Sequence, residues 1–216
     1  MVVVPFGTAS DRRREAPRVA EHLRVGGLIA YPTETVYGFG CALIPSALAR
    51  LAALKGRDRE KTFLLLISGP EQAPGLEWPR AALELAAAFW PGPLTLALRA
   101  EPGRYPDAVV GPGGTVAVRA SPHPAVEAIL GALGEPITST SANLAGQPPA
   151  RSAEEVRGVL AALGDPDEVW LLDGGEALPP SPPSTIVDCS GRRPRVVRAG
   201  AVSIDELRKV VHDIDA

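Results

Sequence analysis

Long apolar runs are missing from this 216-residue chain. Nothing approaches the roughly 20 residues that cross a bilayer as a helix. The amino end, Met-Val-Val-Val-Pro, lacks the charged-then-apolar plan of a secretory leader, so the expected location is the cytoplasm, with no membrane partner. Cysteine is scarce: Cys41 and Cys189 stand far apart among apolar residues, outside any Cys-x-x-Cys pair, and read as buried free thiols. The three histidines, His22, His123 and His212, show no ligand spacing, so no metal site is expected. Basic excess is also missing. The formal net charge is -3, which excludes a global field for nucleic acid and makes any polyanion site local. There is no Gly-Lys-Ser/Thr phosphate loop and no Gly-x-Ser-x-Gly nucleophile elbow. Lysine is nearly absent: of 22 Lys+Arg, only Lys55, Lys61 and Lys209 are lysines.

The remaining composition is that of a globular chain, with 45% hydrophobic and 22% charged residues. Segments that read as strands stand at 2–4, 28–31, 63–67, 94–98, 115–119, 169–172, 184–188 and 195–198, and 137–143 reads as a strand passing into a hydroxyl-rich loop. Between several of them lie helical signals. Ser10 reads as an N-cap, as does Ser121-Pro122, and Ser152-x-x-Glu155 and Ser203-x-x-Glu206 read as capping boxes. Trp78-Pro79 reads as the opening of a further helix. The stretch Pro32-Thr-Glu-Thr-Val-Tyr-Gly-Phe-Gly40 reads as a polar hinge after a strand. With no repeat and no convincing linker, the expectation is one α/β domain over 1–216. It has a twisted, mixed parallel and antiparallel sheet with flanking helices.

Two of the three lysines fall in Lys55-Gly-Arg-Asp-Arg-Glu-Lys61, where four cations crowd a helix-to-strand connection. The stretch reads either as a solvated charged turn or as a grip on a polyanion such as a triphosphate. Other polar groups recur at strand ends: Thr35, Arg119, Ser139, Ser141, Asn143, Ser184 and Arg198. That set holds cations and hydroxyls without an acid–base pair. It suits nucleotide chemistry done by positioning and charge neutralisation.

Taken in order, Pro32–Gly40, Lys55-Gly-Arg57, Ser141-Ala-Asn143, Ser184-Thr-Ile-Val-Asp188 and Arg198-Ala-Gly200 resemble the YrdC-type family of threonylcarbamoyl-AMP synthases. The resemblance runs from about 25 to 200. It implies a YrdC-like α/β fold around a large cationic cavity. It also implies the reaction: L-threonine, bicarbonate or CO2 and ATP give threonylcarbamoyl-adenylate and pyrophosphate, for the t6A modification of tRNA. It implies ATP as substrate, Mg²⁺ on the phosphates, downstream tRNA threonylcarbamoyl-transfer proteins as partners, and a weak tRNA contact. Carried over by position, Lys55 and Arg57 are the catalytic cations. Lys55, Arg57, Lys61, Thr115, Ser141, Asn143 and Arg198 face ATP. Thr35, Arg119, Ser139 and Ser184 face threonine. Thr62-Phe63 and Leu66 depart from the family's usual residues, and the short ending after Gly200 resembles the single-domain form. The alternative is an RNA-binding or regulatory YrdC-like module without synthase activity.

Overall fold

A computed structural model of the chain describes residues 1–56 and 62–215. The chain runs β1 (Val2–Pro5), α1 (Ala9–Arg24), β2 (Leu28–Pro32), β3 (Tyr37–Gly40), α2 (Pro45–Leu54), β4 (Leu64–Leu66), α3 (Arg80–Phe89), β5 (Leu94–Arg99), β6 (Val110–Gly111) and β7 (Thr115–Arg119). It continues through α4 (Pro124–Leu133), β8 (Ile137–Ser141), α5 (Ala153–Ala162), β9 (Val169–Asp173), β10 (Thr185–Asp188), β11 (Arg195–Arg198) and α6 (Ile204–Val210). The strands join in the order β1-β9-β2-β3-β8-β4-β7-β5-β10-β11, with β6 beside β7. Four pairings are parallel: β1 with β9, β9 with β2, β4 with β7, and β5 with β10. The rest are antiparallel, so the expected mixed sheet is present.

Side chains alternate across this sheet because successive residues of a strand point to opposite faces. Leu28 and Ala30 join the core on one face; Ile29 and Tyr31 join the core on the other. All four are fully buried, as a strand covered on both sides requires. One core is closed by α1 and α4 through Val19, Leu23, Val126 and Ile129. The other is closed by α2, α3, α5 and α6 through Leu48, Leu85, Leu160 and Leu207.

The middle strand, β8, changes partner along its length. Ile137, Thr138 and Ser139 pair with β4, while Thr140 and Ser141 pair with β3. Gly40 makes the close crossing of β3 and β8 possible. A Cβ there would run into the Thr138 carbonyl and stand 2.9 Å from the Tyr31 ring.

Several local expectations need correction. The stretch 32–40 is not a hinge throughout. Tyr37–Gly40 is a fully buried strand, and only 33–36 turn. Helix α1 is capped two residues earlier than expected: Thr8, not Ser10, is the N-cap, and it completes a capping box with Asp11. Helix α4 starts at Pro124 with His123 as N-cap. Ser121 Oγ accepts from His123 N at 3.2 Å, ahead of the helix and not within its first turn, while its hydroxyl donates to Glu34 Oε2 at 2.5 Å. At α5, Ser152 accepts from Glu155 N, but the Glu155 carboxylate reaches past the cap to Arg151 N, so the box is half formed. The Ser203–Glu206 box forms as read, with both halves present. No helix among the described residues is long and apolar enough to cross a membrane.

Candidate functional site

The ends of β7 and β8, the turn between β2 and β3, and the loops before β10 and α5 converge on one cavity of about 650 Å³. Arg119, the last residue of β7, is its buried wall, with 5% relative exposure. Glu34 Oε1 lies 3.4 Å from Arg119 Nη1, close enough to offset its charge. The pair is not aligned as a hydrogen bond, and Glu34 Oε1 and Arg119 Nε both remain without a hydrogen-bond partner. No hydrogen bond to the Arg119 guanidinium is made by any described residue. A buried fork with its donors uncommitted is a ready receptor for a planar oxyanion such as a carboxylate.

Hydroxyls surround it. Thr35 stands on the 33–36 turn, which is held by Thr33: the Thr33 hydroxyl donates to the Val36 carbonyl at 2.7 Å and accepts from Thr35 N at 3.3 Å. Ser139 is buried on β8. Ser184 is buried at the start of β10, its hydroxyl 2.9 Å from that of Thr95. Arg198, ending β11, donates to the Ser184 carbonyl at 2.8 Å and to the Ser184 hydroxyl at 3.2 Å. Burial, and then the neighbouring Arg119 charge, lower the Arg198 pKa from its ordinary value. A cation under that pressure favours an incoming anion.

The other side of the cavity begins at Ser141 and Pro148. Lys55 follows α2, and its ammonium donates to the Ser141 carbonyl at 2.9 Å, the Asn143 carbonyl at 2.7 Å and Asn143 Oδ1 at 2.9 Å. It also lies 5.9 Å from the Phe39 ring centroid. Asn143 in turn accepts from the Ser141 hydroxyl at 2.6 Å and donates to the Gln147 carbonyl at 2.8 Å. Lys55 thus fixes the loop after β8 and brings a positive charge to its base.

Of the residues singled out in the sequence, Thr35, Arg119, Ser139, Ser141, Ser184 and Arg198 line this cavity together. Lys55 and Asn143 are tied to it through Ser141. Thr115 is not brought in. It sits at the far end of β7 from Arg119, paired with Arg99 and Gly111, and its hydroxyl donates to the Pro112 carbonyl at 3.1 Å. Arg57 and Lys61 lie outside the described residues. Leu66 is buried in the core beside Ile137, with no face on the cavity. The sequence reading missed Glu34 and Arg151. Glu34 is flanked by the threonines of a quoted motif, which is a usable signal; Arg151 belongs to no motif. Among the described residues no group of His, Cys, Asp and Glu could cage a metal ion. Cys41 and Cys189 are buried and unpaired by disulfide, and burial pushes their thiols up to about 11 and about 12.

The Sua5/YciO/YrdC family model, described as telomere recombination, matches residues 21–200. The chain belongs to this family. Among Sua5/YciO/YrdC relatives, a threonylcarbamoyl-AMP synthase of Alkalilimnicola ehrlichii is 44% identical over 160 residues, 72% of this chain and 82% of that protein. A putative threonylcarbamoyl-AMP synthase of Mycobacterium tuberculosis is 38% identical over 192 residues, 88% of this chain and 85% of that protein. In the crystal structure of Pyrococcus abyssi Sua5 complexed with L-threonine, the matching fold has a TM-score of 0.89 and 32% identity. The match covers 100% of this chain, which spans 62% of that Sua5 chain. Escherichia coli YciO matches with a TM-score of 0.79 at 26% identity, over 95% of this chain and 98% of its own.

Proposed function

We propose that this chain is a threonylcarbamoyl-AMP synthase, a nucleotidyltransferase acting on L-threonine, bicarbonate or CO2, and ATP. The observation that carries the reading is the Arg119 guanidinium, buried, charge-balanced by Glu34, and with no hydrogen bond among the described residues. It takes the threonine carboxylate as a fork, while Thr35, Ser139 and Ser184 meet the amino-acid side chain and amine. ATP lies toward Ser141, Asn143 and Arg198, with its phosphates near Lys55, Arg57 and Lys61.

The chemistry needs little from protein acids and bases. Threonine's amine adds to CO2, loses a proton and becomes a carbamate anion. A carbamate oxygen then bonds to the α-phosphorus as the bond to the bridging oxygen breaks, and pyrophosphate leaves with that electron pair. Holding a carbamate beside a triphosphate is the electrostatic difficulty. Arg198 and Lys55 offset that repulsion in a cavity partly closed to water. Mg²⁺, when bound with ATP, would be held by the phosphates and water and would neutralise phosphate charge, since hard cations of this size keep several waters and few protein ligands. The product is consumed by tRNA-modifying transfer proteins, and a weak tRNA contact belongs to the same reading.

The test is incubation of the purified chain with ATP, labelled bicarbonate and each amino acid in turn. The expected result is a labelled adenylate with threonine. A folded protein that yields no adenylate with any amino acid overturns the proposal.

A further inference from the structure

Arg151 lines the cavity, yet it is absent from every motif read in the sequence. We infer that Arg151 binds the phosphate tail of the nucleotide. The assignment rests on the synthase reading, because it takes the cavity to hold a nucleoside triphosphate.

Its backbone is fixed on both sides. Arg151 N donates to Glu155 Oε2 at 2.6 Å, and its carbonyl accepts from Leu178 N at 2.7 Å. The preceding residue is fixed as well: Ala150 N donates to the Ala142 carbonyl and Tyr37 N to the Ala150 carbonyl, both at 2.8 Å. Those two bonds place Arg151 beside the Ser141–Asn143 segment, the nucleotide side of the cavity. The side chain, by contrast, has no hydrogen bond or ion pair to any described residue. Even Glu155, four residues on, gives its carboxylate to the Arg151 backbone and not to the guanidinium.

Helix α5 does not explain the cation. Arg151 precedes the N-cap Ser152, where the helix dipole disfavours positive charge, and Glu154 and Glu155 already serve the first turn. Nor does it balance a carboxylate in the cavity wall. Glu34 is matched to Arg119 and Ser121. A half-exposed guanidinium on a fixed backbone, lining a cavity and without a hydrogen-bond or ion-pair partner among the described residues, is suited to phosphate oxygens.

The experiment compares ATP and AMP binding by calorimetry for the wild-type chain, Arg151→Ala and Arg151→Lys, with urea unfolding as the fold control. Arg151→Gln replaces the alanine variant if that one fails to fold. The expected result is ATP affinity reduced about tenfold in Arg151→Ala and partly kept in Arg151→Lys, with AMP affinity within about twofold of wild type. Unchanged ATP affinity in Arg151→Ala, beside a wild type that binds ATP, overturns this assignment and leaves the synthase reading standing. Equal loss of AMP and ATP also overturns it, because a merely structural role would act on both. A wild type that binds neither nucleotide removes the synthase reading and the assignment with it.

Discussion

Replacing Arg119 by Met separates what this arginine does for the fold from what it does for a ligand. In the fold it is one half of a buried ion pair, at 3.4 Å from Glu34, whose side chain is 16% exposed. Removing one partner of such a pair leaves the other carboxylate partly desolvated, which costs about 3 kcal/mol. The hydroxyl of Ser121 still donates to Glu34 Oε2, but Oε1 would face an apolar side chain. In Arg119→Met/Glu34→Gln both charges are gone, and more than half of that loss should return. Ligand binding should behave differently. Two charge-assisted hydrogen bonds to a carboxylate together contribute about 3 kcal/mol, so threonine affinity should fall about 100-fold. It should fall as far in the double variant, because neutralising Glu34 restores no donor. Urea unfolding gives the first quantity and calorimetric titration with L-threonine the second. Near-wild-type threonine affinity in Arg119→Met, or its recovery in the double variant, would refute the argument that these donors await a carboxylate.

Two further outcomes follow from local geometry. Gly40→Ala should unfold at markedly lower urea than wild type or fail to fold, because the added methyl meets the Thr138 backbone at the β3–β8 crossing; wild-type stability would show that this crossing yields easily. His123 caps α4 by accepting from Ala125 N at Nδ1, and burial lowers its pKa below the ordinary 6.5, with Glu34 opposing and Arg12 adding to the shift. The unfolded chain therefore takes up the proton first as pH falls, so this contribution is complete above 6.5 and is lost progressively below it. His123→Asn, which keeps a capping oxygen, should flatten that part of the stability–pH curve in urea unfolding; an unchanged slope would exclude His123 as its source.

Much of the architecture was legible from local pattern. Leu28–Tyr31 is apolar at every position, which a strand covered on both faces requires, and it is fully buried in β2. Ser203-x-x-Glu206 is self-contained, so its capping box forms as read. Two of the misreadings share one cause. Ser121 has the chemistry of a cap, but its hydroxyl donates to a carboxylate 87 residues away and its oxygen accepts from His123 N, before the helix starts. Tyr37–Gly40 looks like a flexible hinge because of its glycines, yet those glycines admit the close approach of β8. Local propensity cannot register a partner that arrives from elsewhere in the chain.

The ordered motifs by themselves determined the family, the polar inventory and the expectation of a site made of cations and hydroxyls, because residue type and order are properties of the chain alone. Tertiary structure decided which of those residues share a cavity. It brought Thr35, Arg119, Ser139, Ser184 and Arg198 together, left Thr115 at the opposite end of β7 from Arg119, and added Glu34 and Arg151. The physical reason is that charge balance and donor availability depend on distances between strand ends, and those distances are set by sheet order and packing.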